Sequence, residues 1–147
     1  KRTYKGYTVK NSGTVFVRPG GLRDPIVVAH EIGHAFCGLS DEYLYKKVFR
    51  FAWNPLWSSS YEPNCVFNPS NSWWYNGAVY GTSNYLGCSV TGLYRPSGNS
   101  IMRRDREDQK FNVVSCGYCI AAIKGGNPKS YWDDCMGLDT IKPLVTN

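Results

Sequence analysis

The run His30-Glu31-Ile32-Gly33-His34 constrains this chain more than any other, because two imidazoles four residues apart with a carboxylate beside the first act together only on a helix. Residues i and i+4 of an α-helix share one face, about 6 Å apart. Both imidazoles then reach a single metal at about 2.0–2.1 Å each. The chain has only 2 histidines, so chance would give this arrangement roughly once in a few thousand shuffles, and the motif carries chemical information. Glu31 falls about 100° round the helix from His30, beside the metal and not on it. From there it can take a proton from water and later hand it to a leaving amine. Zinc lowers the pKa of such a water towards 7 and polarises a scissile carbonyl, so peptide hydrolysis needs no covalent intermediate.

The flanks predict where this helix begins and ends. Asp24 suits the N-cap, Pro25 the first helical position and Gly38 a left-handed stop. The segment from Ile26 to Phe36 is mostly apolar on every side, as in a buried helix. Ile26, Val28, Ile32 and Phe36 then need cover on several sides, which puts the histidines on the floor of a cleft.

A catalytic zinc has three protein ligands and one open position. Cys37 shares the histidine face, but seven residues of helix are about 10.5 Å of rise, too far from His30 for one coordination sphere. Beyond Gly38 the chain reads Leu39-Ser40-Asp41-Glu42-Tyr43, and a reversal there returns a side chain to the metal. Asp41 is the expected third ligand, because its spacing from Gly38 copies the glycine-to-ligand spacing of the long metzincin motif. Glu42 is the alternative, with Asp41 then buttressing a histidine.

The run HEIGHAFCGLSDEY, with GLYRPSGNSIMRRD and FNVVSCGYC further on, resembles the IgA-specific metalloendopeptidase family. In that family a helical zinc motif leads into a Gly-Leu-x-Asp-Glu-Tyr stretch. The resemblance implies a metzincin-like α+β fold, with zinc on His30, His34 and an acidic residue of the Asp41-Glu42 pair. It also implies Glu31 as general base and Met102 as a Met-turn beneath the metal. Two departures stand out. Cys37 occupies a position where glycine is expected, and only the first 23 residues precede Asp24, where such enzymes place a multi-stranded sheet.

The 147 residues are enough for one sizeable core, so residues 1–147 read as a single catalytic domain and a monomer. No run of 18 apolar residues is present, so no membrane span is expected. The start lacks methionine and a signal-peptide pattern, as in a mature or excised protein. The 6 cysteines are an even number, which points to disulfides and a secreted protein in an oxidising compartment. Cys65 and Cys88 flank one irregular loop and are expected to close it. In a zincin cleft the helix after the Met-turn packs beneath the zinc helix, so Cys37 is expected to bond Cys116 or Cys119, with the other joined to Cys135. Cys116-Gly117-Tyr118-Cys119 as a redox pair lacks the βα junction that such centres occupy. As a structural zinc site it lacks spare histidines.

The coarse order is strand, helix, long loop, helix. Tyr7-Thr8-Val9-Lys10 and Thr14-Val15-Phe16-Val17 read as a hairpin across Asn11-Ser12-Gly13, the second offering an edge on which a peptide could pair. Asn112 to Lys124 reads as a helix stopped by Gly125-Gly126. Residues 44–99 show no sustained period, which means either a functional, disulfide-pinned loop or short strands that periodicity does not reveal. Within them, Trp73, Trp74 and Tyr75 are candidates for substrate contact or for a satellite core. Tyr94, Arg95 and Tyr43 are candidates to steady the negative charge of a tetrahedral intermediate. The net charge of +6 is dispersed in short clusters, Lys46-Lys47-Arg50 and Arg103-Arg104-Arg106. These are solvated faces by default and do not argue for nucleic acid.

The expectation is a secreted zinc-dependent endopeptidase acting on peptides or proteins. The alternative is a catalytically silent, zinc-stabilised module that binds protein or glycan through the aromatic loop. Glu31 weighs against it, since a binding module needs no general base. A zinc amidase acting outside peptides is a third reading compatible with the helix motif.

Overall fold

The computed structural model describes residues 6–9, 12–22, 24–46, 63–68, 70, 72, 74, 78–103 and 110–137. Strands β1 (Gly6–Thr8) and β2 (Val15–Val17) form the expected hairpin, antiparallel with Tyr7 opposite Phe16. Each strand has 3 residues, one fewer than the apolar pattern predicts, and β1 begins one residue earlier, at Gly6. Their rings stack with centroids 4.7 Å apart on the outer face, while Gly6 and Thr8 alternate towards the protein. A short helix, α1 (Pro19–Leu22), leads to α2 (Pro25–Cys37), the helix that carries both histidines.

Both ends of α2 fall where the sequence puts them. Asp24 has an extended N-cap backbone, although its side chain makes no capping bond and its carbonyl takes the Val27 and Val28 N–H groups. Gly38 ends the helix at φ 66°, a left-handed conformation that costs a residue with a Cβ about 1 kcal/mol or more. The expected burial on all sides is not observed. Ile32 and Phe36 are 40% and 55% exposed, because the described chain covers α2 on two flanks, the hairpin against Glu31 and Ala35 and the Met102 floor against Gly33 and Cys37, and these two residues point between them.

In the stretch that shows no period, β3 (Leu44–Lys46) pairs parallel with β4 (Tyr85–Arg95), an 11-residue strand absent from the sequence reading. Periodicity hides β4 because it bears Gly87 and a positive φ at Ser89, and its register with β3 shifts between Leu44 and Lys46. Val66 bridges Tyr94 with two backbone hydrogen bonds, and a 3-10 turn covers Ala78–Tyr80. Trp74 is a core residue, 1% exposed, its indole N–H shared between the Ser83 carbonyl and Asn84. Trp73, Tyr75, the cluster residues Lys47 and Arg50, and Arg104 and Arg106 lie outside the described residues.

Helix α3 (Val113–Lys124) starts on an Asn112 side chain that accepts the Ser115 N–H, and it stops at Gly125. A 3-10 turn (Pro128–Tyr131) and α4 (Trp132–Gly137) follow. Val66, Trp74, Val113, Val114 and Trp132 form one core cluster. Cys37, Leu39, Ile101 and Met102 form a second beneath α2, and Phe111 packs on both. Three disulfides tie these parts, Cys37–Cys119, Cys65–Cys88 and Cys116–Cys135, and they choose Cys119 from the two partners left open for Cys37. The fold is thus α+β with disulfides that suit an oxidising, extracellular environment. Among the described residues no helix is long and apolar enough to cross a membrane.

Gly33 is where α2 meets its floor. A methyl group there would lie 2.7 Å from Met102 Sδ, 3.1 Å from Phe111 and 3.3 Å from Leu39. Leu39 and Met102 are both fully buried and have nowhere to go. Gly33→Ala gains about 1 kcal/mol of helix propensity against about 1–3 kcal/mol of overpacking. A net loss of up to about 2 kcal/mol in urea unfolding is expected.

Candidate metal centre

Helix α2 sets His30 and His34 on one face, with Nε2 atoms 3.1 Å apart. The left-handed turn at Gly38, whose N–H and that of Leu39 both close on the Gly33 carbonyl, sends the chain back along the helix. That reversal delivers Asp41, whose Oδ1 lies 3.0 Å from His30 Nε2 and 3.4 Å from His34 Nε2.

The opposite edge of each ring explains what these atoms can do. His30 Nδ1 is 2.9 Å from the Ile101 carbonyl and His34 Nδ1 is 2.7 Å from the Leu39 carbonyl. A carbonyl oxygen only accepts, so each Nδ1 carries the hydrogen and each neutral Nε2 presents a lone pair. Two lone pairs and a carboxylate oxygen therefore converge, which is favourable only around a shared proton or a cation. Ligand atoms at about 2.0–2.1 Å from a tetrahedral ion are separated by about 3.3 Å, and the triangle here has edges of 3.0, 3.1 and 3.4 Å. His30, His34 and Asp41 could hold a metal ion. The side chains of His30 and His34 keep 17% and 14% exposure, so the group is not sealed from solvent.

Burial disfavours the charged form of His30. The Asp41 hydrogen bond and charge, the Ile101 carbonyl and the Glu31 charge together outweigh it, and its pKa stands above the ordinary histidine value. Glu31 is 7% exposed and packs against the β1 backbone at Gly6. Tyr43 stacks beside His30, ring centroids 6.5 Å apart and planes 19° from parallel.

Met102 is fully buried under Gly33 in a tight turn closed by Arg103 N–H on the Ser100 carbonyl. Glu42 turns away from the metal group. Its Oε1 accepts from Asn64, Asn112 and Ser115 at 3.0, 2.8 and 3.4 Å, and its N–H donates to the Met102 carbonyl at 2.9 Å. Burial pushes its carboxyl up to about 7 against the pull of those donors and of Arg95.

Tyr94 and Arg95 are not gathered at the metal group by any described contact. Tyr94 packs on the Val66 and Trp74 cluster, and the Arg95 guanidinium donates to the Leu86, Gly87 and Ser97 carbonyls. Sequence reasoning missed Asn64, which clamps the reversal by accepting the Ser40 N–H and donating to the Ser40 carbonyl, both at 2.8 Å. It also missed Asn112 as a partner of Glu42. No spacing rule flags either, since each acts across more than twenty residues. No protein-family model matches this chain, and no curated protein matches it.

Because Glu42 works as an acceptor, Glu42→Gln keeps the contact with the Asn64 and Asn112 amides and is expected to unfold within about 1 kcal/mol of the wild type. Glu42→Leu strands those buried donors at about 1–3 kcal/mol each. The pair of variants, compared by urea midpoint, separates the two costs.

Proposed function

We propose that this chain is a zinc-dependent endopeptidase of metzincin-like type, cutting peptide bonds by addition of water. The convergence of His30 Nε2, His34 Nε2 and Asp41 Oδ1, with Glu31 next in the helix, is the observation that carries the reading. Two nitrogens and one carboxylate oxygen with tetrahedral spacing suit zinc among common divalent ions. The resemblance to the IgA-specific metalloendopeptidases, with Met102 in the place of their Met-turn, supports the same class.

Zinc held by these residues supplies a Lewis acid for the scissile carbonyl and a lowered pKa for water. The chain's own residues do the rest. The Ile101 and Leu39 carbonyls hold both imidazoles in the tautomer whose Nε2 is free to ligate. Glu31 accepts a proton from the attacking water at a carboxylate oxygen, as the water oxygen bonds to the carbonyl carbon. It then passes that proton to the amine nitrogen, and the C–N bond breaks. Tyr43, whose ring stacks beside His30, is the phenol we assign to donate to the oxygen on which charge develops.

A peptide library incubated with zinc-loaded protein tests this reading. Cleavage is expected to vanish with a chelator and return with zinc. Glu31→Gln is expected to lose on the order of 10²–10⁴ in rate with its zinc retained. Asp41→Ala is expected to bind zinc more weakly than either. Cleavage that survives chelation, or that persists at full rate in Glu31→Gln, refutes the proposal.

A further inference from the structure

Backbone carbonyls hold the two imidazoles, and the imidazoles face Asp41. Glu31 has no comparable support. Among the described residues no hydrogen bond or ion pair orients its carboxylate, although the residue is 93% removed from solvent, being 7% exposed. Beyond the charge interaction with His30, such a carboxylate takes its direction from the atoms it touches.

Those atoms belong to β1. A methyl group on Gly6 would lie 2.9 Å from Glu31 Oε1, 3.0 Å from Cγ and 3.2 Å from Cδ. The contact includes Cγ and Cδ as well as Oε1, so turning the carboxylate alone does not relieve it. The alternation of β1 decides that position 6 faces α2, since Tyr7 points outward at 63% exposure. Gly6 has no left-handed φ, so alanine fits the backbone there, and Glu31 is what excludes it. A glycine inside a strand commonly marks such a close approach.

We infer that Gly6 is a positioning residue for Glu31: the bare strand at that point is the wall that sets the carboxylate beside the imidazole pair, and the N-terminal hairpin is thereby part of the site. What Glu31 does rests on the peptidase reading. The contact with Gly6 does not.

The test uses the full chain, zinc-loaded, as wild type, Gly6→Ala, Glu31→Ala and the double variant. Gly6→Ala is expected to lower Tm by roughly 3–10 °C when Glu31 is present and far less when it is alanine. Any effect of the extra methyl on the unfolded chain cancels in this cycle. Gly6→Ala is also expected to cut kcat on the order of 10- to 100-fold, with KM and zinc affinity unchanged, a split that general loosening would not produce. Equal Tm losses in both backgrounds overturn the inference, as does a raised KM with kcat intact. Should Gly6→Ala fail to fold, recovery in the double variant supports the contact and failure of both refutes it. A wild type that cleaves no peptide sinks the peptidase reading, and the Tm cycle alone then decides the contact.

Discussion

The carboxylate of Glu42 accepts from Asn64, Asn112 and Ser115 at a site with no solvent exposure, while its backbone N–H donates to Met102. Those partners come from three separate places: the loop before β4, the start of α3 (Asn112 and Ser115) and the turn after β4. A buried carboxylate is stable only with such a set of donors, so the bonds hold each of these places against the others. Asp41 inherits its position from this arrangement. Its neighbour is clamped on the interior side, which leaves the Asp41 side chain facing the histidines.

The candidate metal group is in this sense made by backbone. Its two imidazoles are oriented by carbonyls of Leu39 and Ile101, one from the reversal after α2 and one from the turn that buries Met102. Cys37–Cys119 ties the end of α2 to α3 across 82 residues. In the chain-entropy picture a loop of that length stabilises by about 4–5 kcal/mol, against about 3 kcal/mol for the 19-residue separation of Cys116–Cys135. The longest closure therefore lies next to the turn that delivers the third candidate ligand. A carbonyl is a demanding partner for a histidine, because it fixes the tautomer as well as the ring plane.

Glu31 contrasts with that rigidity. In the proposed roles, ligands gain from hydrogen bonds that lock them, whereas a proton carrier loses reach when donors saturate it. Steric confinement against a glycine strand places the carboxylate without spending its lone pairs. The exposed face of the same region, with Tyr7, Phe16, Ile32 and Phe36 all 40% exposed or more, leaves the hairpin as a thin cover over α2.

Much of this was legible in the sequence because it is local. The helix from Asp24 to Gly38, the imidazole pair and the reversal that brings the Asp41-Glu42 pair back follow from 3.6-residue geometry, capping preferences and a left-handed glycine. The same locality located the α3 start at Asn112, whereas the two candidate partners of Cys37 came from the helix packing that the family resemblance implies. Local rules did not reveal β4, whose glycine, positive φ and shifted register erase the alternation that marks a strand. Nor did they reveal the exposure of Ile32 and Phe36, since a helix that is apolar all round does not say which face its neighbours cover. The separation of Asp41 from Glu42, the clamp at Asn64 and the closeness of Gly6 to Glu31 were decided by tertiary structure alone. Each joins residues more than twenty positions apart, or depends on such a contact, and a chain's periodicity carries no record of what will pack against it from that distance.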